Sequence, residues 1–410
     1  MATAEFDKPA GRMPLKTGPI TPFPDAGMPE AEVIAAVRAQ AGQNPYEIQQ
    51  DFGNSYSGIP HPITHQLDEL MRGTYFVEWA ADQQPGTLAI EREAVRMMAS
   101  LLGRPDGVGF VTTGGTESNL ASMRLARNQG GQAEPEIIAP VSMHFSFRLG
   151  AELMRIRLVE VDVDDETFLP RIEDVEKAIT PRTVGLVCSA PGGSFGLVDP
   201  VEAFADLAYR KGLWLHVDAA FGGFILPFMR DLGYPIEPFD FSLPGVSSMM
   251  TDGHKLGLMP VATGFFLARD AAMFDAIPTD STLIHTTSST KPGSRAASAW
   301  AVMKHLGREG YQRSTAHVLE LAGTIATGVT EIPGIDLIAP PFISIVAFTS
   351  KTVDLSDVHQ LLAENGWGQS YGEHRGKQYI RLSIHPSRDM EHAQGFVRAF
   401  AEATKKARHR

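Results

Sequence analysis

Asp252, Gly253, His254 and Lys255 stand about 30 residues beyond the apolar stretch LWLHVDAAFGGF at 213–224, which carries the carboxylate Asp218 where its strand-like half ends. A lysine amine condenses with an aldehyde to give an imine, and a carboxylate keeps a pyridine nitrogen protonated so that the ring accepts electrons. The two residues together are what an aldehyde-bearing pyridine cofactor needs. Neither carries that inference alone, because a lysine in a loop is ordinarily a solvated surface side chain.

A second group lies upstream in VGFVTTGGTESNLASMRLARN, where a strand runs into Gly114 and Gly115 and a helix opens at Thr116, Glu117 and Ser118. Glycines let the backbone approach a ligand, and the N–H groups of a helix start, with the Thr116 hydroxyl, suit a phosphate. No Gly-Lys-Ser/Thr follows, which excludes a Walker loop. An N-capped helix without a ligand has the same pattern. His144, in SMHFSFRLGAELM, follows an apolar strand-like run. Its imidazole suits stacking on an aromatic ring, and equally a structural hydrogen bond.

Asp218 ends a run that reads as buried, where an unpaired carboxylate is costly. A pyridinium N–H would pair with it, and Ala219 and Ala220 leave room for a flat ring. Metal binding is the rival reading, since His216-x-Asp218 and Asp252-x-His254 resemble ligand pairs and a strand puts His216 and Asp218 on one face. An enclosed site would favour the neutral amine that imine formation at Lys255 requires.

These residues need a scaffold, and the chain alternates strand-like runs with amphipathic helices. The runs are 107–112, 136–139, 155–161, 183–189, 213–217, 246–251 and 264–268, with helices predicted at 117–128, 145–153, 172–179 and 200–211. Such alternation predicts an α/β fold with a mostly parallel central sheet, ligands gathering where the strands end. The last two strands, with little helix between them, are predicted to pair antiparallel. Helices are also expected at 29–41 and 87–102, and a long helical stretch begins at 294. Beyond Gly334, strands at 343–348 and 379–384 alternate with helices at 356–364 and 389–403, the texture of a smaller α+β domain. The divisions are an N-terminal arm and helix over 1–60, a large α/β domain over 61–290 and a small C-terminal α+β domain over 291–410. The Pro- and Gly-rich start reads as an extended arm of the kind that crosses a partner subunit.

Bulk properties narrow the class. The 410 residues are 43% hydrophobic, enough for more than one core, and the net charge of −12 argues against a nucleic-acid partner. Cys188 is the one cysteine; its apolar setting predicts an inert core thiol, and the count suits a reducing compartment. There is no signal-like leader and no run of about 18 apolar residues. A cytoplasmic protein without a membrane partner is therefore expected.

At this point the motifs match a family. TTGGTESN, SMHFSF, GLVDPV, HVDAAFGGFILPF, FDFSLPGVSSMMTDGHKLGL and PGSRAASAWA occur in order, and they resemble the pyridoxal phosphate-dependent group II amino acid decarboxylases, archaeal tyrosine/aspartate type. The chain is also similar to sphingosine-1-phosphate lyases. The likeness covers nearly all of 50–310 and weakens toward the C-terminus. It implies the fold type I architecture of aspartate aminotransferase and a homodimer with shared active sites. It makes Lys255 the imine lysine, Asp218 the partner of the pyridine nitrogen and His144 the residue stacked on the ring. Gly115 and Thr116, helped by His254, would hold the phosphate of pyridoxal 5'-phosphate, with Ala220 beside the ring. From the other subunit, 289–293, including Ser289 and Thr290, would approach the same phosphate.

The same resemblance bears on which bond breaks. Lyases of this type carry a second lysine shortly after the imine lysine, where this chain has Val261, and the stretch NSYSGIPHPITHQL matches the decarboxylase branch. Decarboxylation of an L-amino acid to its amine is thus the favoured activity. Retro-aldol cleavage of a β-hydroxy amine or amino acid is the alternative. Three departures alter the pocket: Val77 and Ala80 stand near positions that commonly hold Asn or His, a Thr is replaced around Ala190, and Lys291 stands where an Arg is usual. They also raise a third reading, a cofactor-binding protein without turnover. Tyr56, His61 and Trp79 are candidates to line the pocket. Arg381, in QYIRLSIHP, is the candidate for a substrate carboxylate or else a surface ion pair. No metal is implied.

Overall fold

The computed structural model describes residues 23–24, 26–43, 51–52, 58–77, 83–191, 195–275, 277, 287–288 and 290–409. Most of the N-terminal arm, Tyr56, Trp79, Ala80, Gly192, Gly193, Ser289 and most of the Thr/Ser-rich loop before 290 lie outside the described residues, as does the Val77 side chain.

The chain begins with α1 (Glu30–Ala41), α2 (Ile63–Leu70) and a short strand β1 (Tyr75–Val77). Helix α3 (Pro85–Leu101) starts on a proline, whose missing N–H costs nothing in a first turn, and buries Ala94, Val95, Met98 and Ala99. The predicted alternation follows: β2 (Val108–Thr112), α4 (Gly115–Gly130), β3 (Glu136–Pro140), α5 (Ser146–Met154), β4 (Arg157–Val161), α6 (Ile172–Ala178), β5 (Thr183–Ser189) and α7 (Val201–Lys211). Next come β6 (Trp214–Asp218), α8 (Leu226–Asp231), β7 (Ser248–Asp252) and β8 (Gly264–Ala268). Gly131 and Gly212, with φ of 61° and 64°, end α4 and α7 in the left-handed conformation that glycine adopts without strain.

These strands form a seven-stranded sheet ordered β2-β8-β7-β6-β5-β3-β4. β4, β3, β5, β6 and β7 run parallel, while β8 is antiparallel to both neighbours, β7 and β2. The mostly parallel α/β fold is as predicted, and so is the antiparallel pairing of the last two runs. Every residue of β5, β6, β7 and β8 is buried, which explains their near-continuous apolar character: helices cover both faces. Cys188 is fully buried in β5, and desolvation pushes its thiol pKa up, so it is the inert thiol expected.

A strand β9 (Thr290–Pro292) pairs antiparallel with β1 and leads into α9 (Gly293–Thr330), which kinks at Gly307, where φ is 57°. After it come β10 (Ile335–Leu337), β11 (Ile345–Ser350), α10 (Leu355–Glu364), β12 (Ser370–His374), β13 (Lys377–Ser383) and α11 (Met390–Ala407). The strands make an antiparallel sheet ordered β10-β11-β13-β12. Asp354 and Asp389 cap α10 and α11 by accepting from the backbone N–H groups of Ser356 and His392.

Helix α9 serves two cores. Ala299, Val302, Met303, Tyr311 and Val318 pack with the large sheet's apolar residues, and Leu321, Ala322, Ile325, Ala326 and Val329 pack with the small sheet's. Among the described residues, no helix is long and apolar enough to cross a membrane.

Candidate active site

Strand β7 ends at Asp252, and the turn after it brings Lys255 back against that residue. Lys255 Nζ lies 3.0 Å from Asp252 Oδ2 and 4.4 Å from the centre of the Phe221 ring, with its side chain 12% exposed. His254 faces the same oxygen, with Nε2 3.9 Å from Asp252 Oδ2, while its backbone N–H and Nδ1 are directed at the Thr263 carbonyl, at 3.1 and 2.9 Å. Its ring rests against the loop before α4, since a Cβ on Gly114 would meet His254 Cε1 at 3.2 Å.

That loop needs its glycines. Gly114 has φ of 132°, where side chains are strained, and a Cβ on Gly115 would press on Met250 Cε at 2.8 Å and Asp252 Oδ2 at 3.0 Å. The α4 start therefore sits directly beside the lysine turn, with Gly115 and Thr116 partly exposed. Glu117, buried in the first turn, accepts at Oε2 from the Thr113 N–H and hydroxyl (2.7 and 2.9 Å). At Oε1 it accepts from the N–H groups of Thr287 and Ser288, each at 3.2 Å. The segment entering β9 is thus tied to the helix start.

Asp218 ends β6 with its carboxylate buried and partnered on both oxygens. Ala220 N–H donates to Oδ1 at 3.1 Å and Asn119 Nδ2 donates to Oδ2 at 3.0 Å. His144 shares the space: burial pushes its pKa down, Asp218 pulls it up, Lys255 pushes it down and Asp252 pulls it up, with a net lowering. Its Nδ1 lies 2.8 Å from Ser146 Oγ. The rival metal reading for His216 loses its ligand, because both ring nitrogens are engaged, by Asn119 Oδ1 at 2.9 Å and Ser248 Oγ at 2.8 Å.

The small sheet carries the remaining candidate, Arg381. Arg381 on β13 is only 5% exposed, which removes the surface ion pair; it sits opposite Ala347 on the sheet face that packs on Val141 and Phe195. His385, just beyond β13, hydrogen-bonds the backbone at Lys255, and Arg388 is buried with a guanidinium donating to the Asp51 carbonyl at 2.6 Å. Burial pushes Arg388 down to about 10.

Other candidates are placed elsewhere. His61 packs on His305 with ring centres 4.8 Å apart, and its N–H donates to the Leu258 carbonyl; no described contact joins it to Lys255, Asp218 or His144. Thr290 is exposed in β9. Lys291 is committed within its own chain, its ammonium 3.4 Å from Glu91 Oε1 and donating to the Val111 carbonyl. Val261 is 64% exposed.

Sequence reasoning missed Asn119, Ser146, His385 and Asp199. Asp199 is a buried carboxylate that accepts from Ser189 N–H at 2.7 Å and whose pKa burial pushes up to about 7. Only Asp199 carried a signal, an acid followed by proline in an otherwise apolar stretch.

The buried histidines predict a pH response. Burial pushes His216 and His385 down to about 3, from an ordinary 6.5, with Arg388 adding to the effect on His385. Between those values the unfolded chain binds protons that the folded chain refuses. Their contribution to stability is therefore full above pH 6.5 and is lost as the pH falls toward 3, about 2 kcal/mol for each by pH 5. Asp199, raised to about 7, acts in the opposite sense as the pH falls. His385→Gln is expected to shrink the drop in melting temperature between pH 7 and pH 5, and an unchanged drop would contradict the assignment.

In donor chemistry the site has three parts: an amine at Lys255, a buried carboxylate and an imidazole at Asp218 and His144, and a glycine-lined helix start at Gly115 and Thr116. These fit the aldehyde, the ring and the phosphate of pyridoxal phosphate in turn. Comparison with known proteins agrees. The conserved domain described as the pyridoxal-dependent decarboxylase domain matches residues 67–351. An L-aspartate decarboxylase of Thermococcus kodakarensis is 38% identical over 396 residues, 94% of this chain and 100% of that protein. A sphingosine-1-phosphate lyase of Oryza sativa is 38% identical over 295 residues, covering 68% of this chain but 54% of that protein. Among solved structures, a sphingosine-1-phosphate lyase of Burkholderia pseudomallei superposes with a TM-score of 0.86 at 28% identity, over 96% of this chain and 94% of that one.

Proposed function

The chain belongs to the pyridoxal-dependent decarboxylase family, and from that premise we propose that it removes the α-carboxylate of an L-amino acid, with L-aspartate the first substrate to test. Bound pyridoxal 5'-phosphate supplies the electron sink for the bond broken at Cα. The observation that carries the reading is the convergence of Lys255, Asp218 and His144 beside the α4 start.

In this reading Lys255 would provide the amine that holds the cofactor aldehyde. Asp218, fixed by Ala220 and Asn119, holds a proton at the ring nitrogen. His144 covers one ring face. Gly115, Thr116 and His254 hold the phosphate, with Ser289 and Thr290 reaching it from the other subunit. Arg381 takes a substrate carboxylate. Pairing the α-carboxylate would stabilise the very group that must leave, so the pairing serves the side-chain carboxylate instead. Tyr56 and His61 complete the list of pocket candidates.

The working unit is a cytoplasmic homodimer, with 61–290 as the cofactor-binding unit and 291–410 as the smaller one. Support for the dimer comes from Phe145 at the N-cap of α5 with Leu149 and Leu153 along it, which are 61%, 37% and 62% exposed, and from α1, which buries none of its residues.

The test is an assay of protein loaded with pyridoxal phosphate, following carbon dioxide and aldehyde together with L-aspartate, L-glutamate, L-tyrosine and a β-hydroxy amino acid. Carbon dioxide and an amine from L-aspartate are expected. Aldehyde from the hydroxylated substrate without carbon dioxide would establish the retro-aldol reading, which the similarity to the lyases favours. Product from none of them would leave a cofactor-binding protein. Arg381→Met is expected to raise KM for L-aspartate about tenfold or more while changing KM for an uncharged amino acid far less. Equal effects on both would remove Arg381 from the pocket.

A further inference from the structure

Behind Asp218, buried polar side chains form one run of hydrogen bonds whose direction is set by its ends. Trp214 Nε1 can only donate, and it gives to Ser122 Oγ and Ser248 Oγ, each at 3.0 Å. At the other end Asn119 Oδ1 can only accept. It lies 2.9 Å from His216 Nε2, so that nitrogen carries the ring hydrogen, and Nδ1 accepts from Ser248 Oγ at 2.8 Å. With its oxygen held, Asn119 has both amide hydrogens directed forward. One goes to Asp218 Oδ2 at 3.0 Å and the other to Ser146 Oγ at 2.9 Å. Ser146 spends its own hydrogen on His144 Nδ1, 2.8 Å away, which also accepts the Ser146 backbone N–H at 3.3 Å.

We propose that Asn119 is a positioning residue that sets, through one amide group, both residues between which the cofactor ring lies, Asp218 at its nitrogen edge and His144 on its face. The inference deepens the function proposed above and rests on the roles of Asp218 and His144 given there. Asn119 is 1% exposed, and its side-chain amide donates to Asp218 and Ser146, so the influence of that amide runs through those two partners. His216 has one task in this arrangement: it keeps the amide from flipping, since a flipped Asn119 would set its NH2 against the ring N–H and its oxygen against Asp218.

The experiment compares wild-type protein, Asn119→Leu and Ser146→Ala for dissociation of pyridoxal phosphate and for the visible circular dichroism of the bound cofactor, which reports ring orientation. Asn119→Leu keeps the branched shape and removes both donors, with the acceptor that His216 uses; cofactor affinity is expected to fall at least about tenfold and the dichroic band to lose more than half its intensity. Ser146→Ala cuts only the branch to His144. Affinity is expected to stay within about threefold while the band loses more than half its intensity, an outcome that simple loosening of the fold would not give. Asn119→Leu with wild-type affinity and dichroism overturns the inference. Should that variant not fold, Ser146→Ala decides, and an unchanged band overturns it. Wild-type protein that takes up no pyridoxal phosphate sinks the proposed function, and this inference with it; a loaded wild type matched by its variants sinks this inference alone.

Discussion

Lys255→Ala is expected to lower kcat/KM by at least about 10³-fold and to abolish the visible absorption that the wild-type protein gains with pyridoxal phosphate. Among the described residues, the other buried lysine is engaged elsewhere. Lys291, the other buried lysine discussed above, spends its ammonium on Glu91 and the Val111 carbonyl in its own chain. Lys255 itself is held at 3.0 Å from Asp252 and over Phe221. The check is a spectral titration followed by borohydride reduction and peptide mapping. The cofactor should be fixed to the peptide containing Lys255, and a variant that keeps the visible band would disprove the assignment.

The second large effect is expected at Asp218. Asparagine has nearly the same shape but accepts at one oxygen only, whereas both oxygens of Asp218 receive donors, from Ala220 and Asn119. Asp218→Asn therefore sets an amide N–H against another donor, and it removes the charge that keeps a proton at the ring nitrogen. A fall in kcat of about 10²-fold or more is expected, on the scale seen when one preorganised electrostatic partner is lost, with a smaller change in KM. Steady-state kinetics at saturating cofactor would check it, and a kcat within tenfold of wild type would refute it.

Much of this architecture was legible in the sequence because its strands announce themselves. β5 to β8 are buried on both faces, so their apolar runs are nearly uninterrupted and their positions were found to within two residues. The short elements were not found. α8 is a six-residue helix, LPFMRD, too brief to show a helical period, and β12, SYGEH, is polar and only partly buried. Lys255, Asp218 and the Gly114-Gly115 turn stood out because their residue types are costly or unusual where they sit. Asn119 and Ser146 did not, since an amide and a hydroxyl within helices look like ordinary polar residues until their partners, Asp218 and His144, are placed around them. His385 was hidden for a related reason. Its partner, the backbone at Lys255, lies in the turn after β7, more than a hundred residues earlier, and no local pattern records such a contact.

That contact also bears on the order in which the protein is made. The seven-stranded sheet and the lysine turn are complete in the growing chain once β8 has emerged, yet His385, Ser387 and Arg388 follow only after the small sheet. Ser387 Oγ accepts from the Ile59 N–H, and Arg388 holds the Asp51 carbonyl, so the late residues also fasten an early segment. During synthesis the lysine turn therefore waits without its inner wall. A nascent or truncated chain ending before β13 carries every residue assigned to cofactor binding, but lacks the contact that backs Lys255.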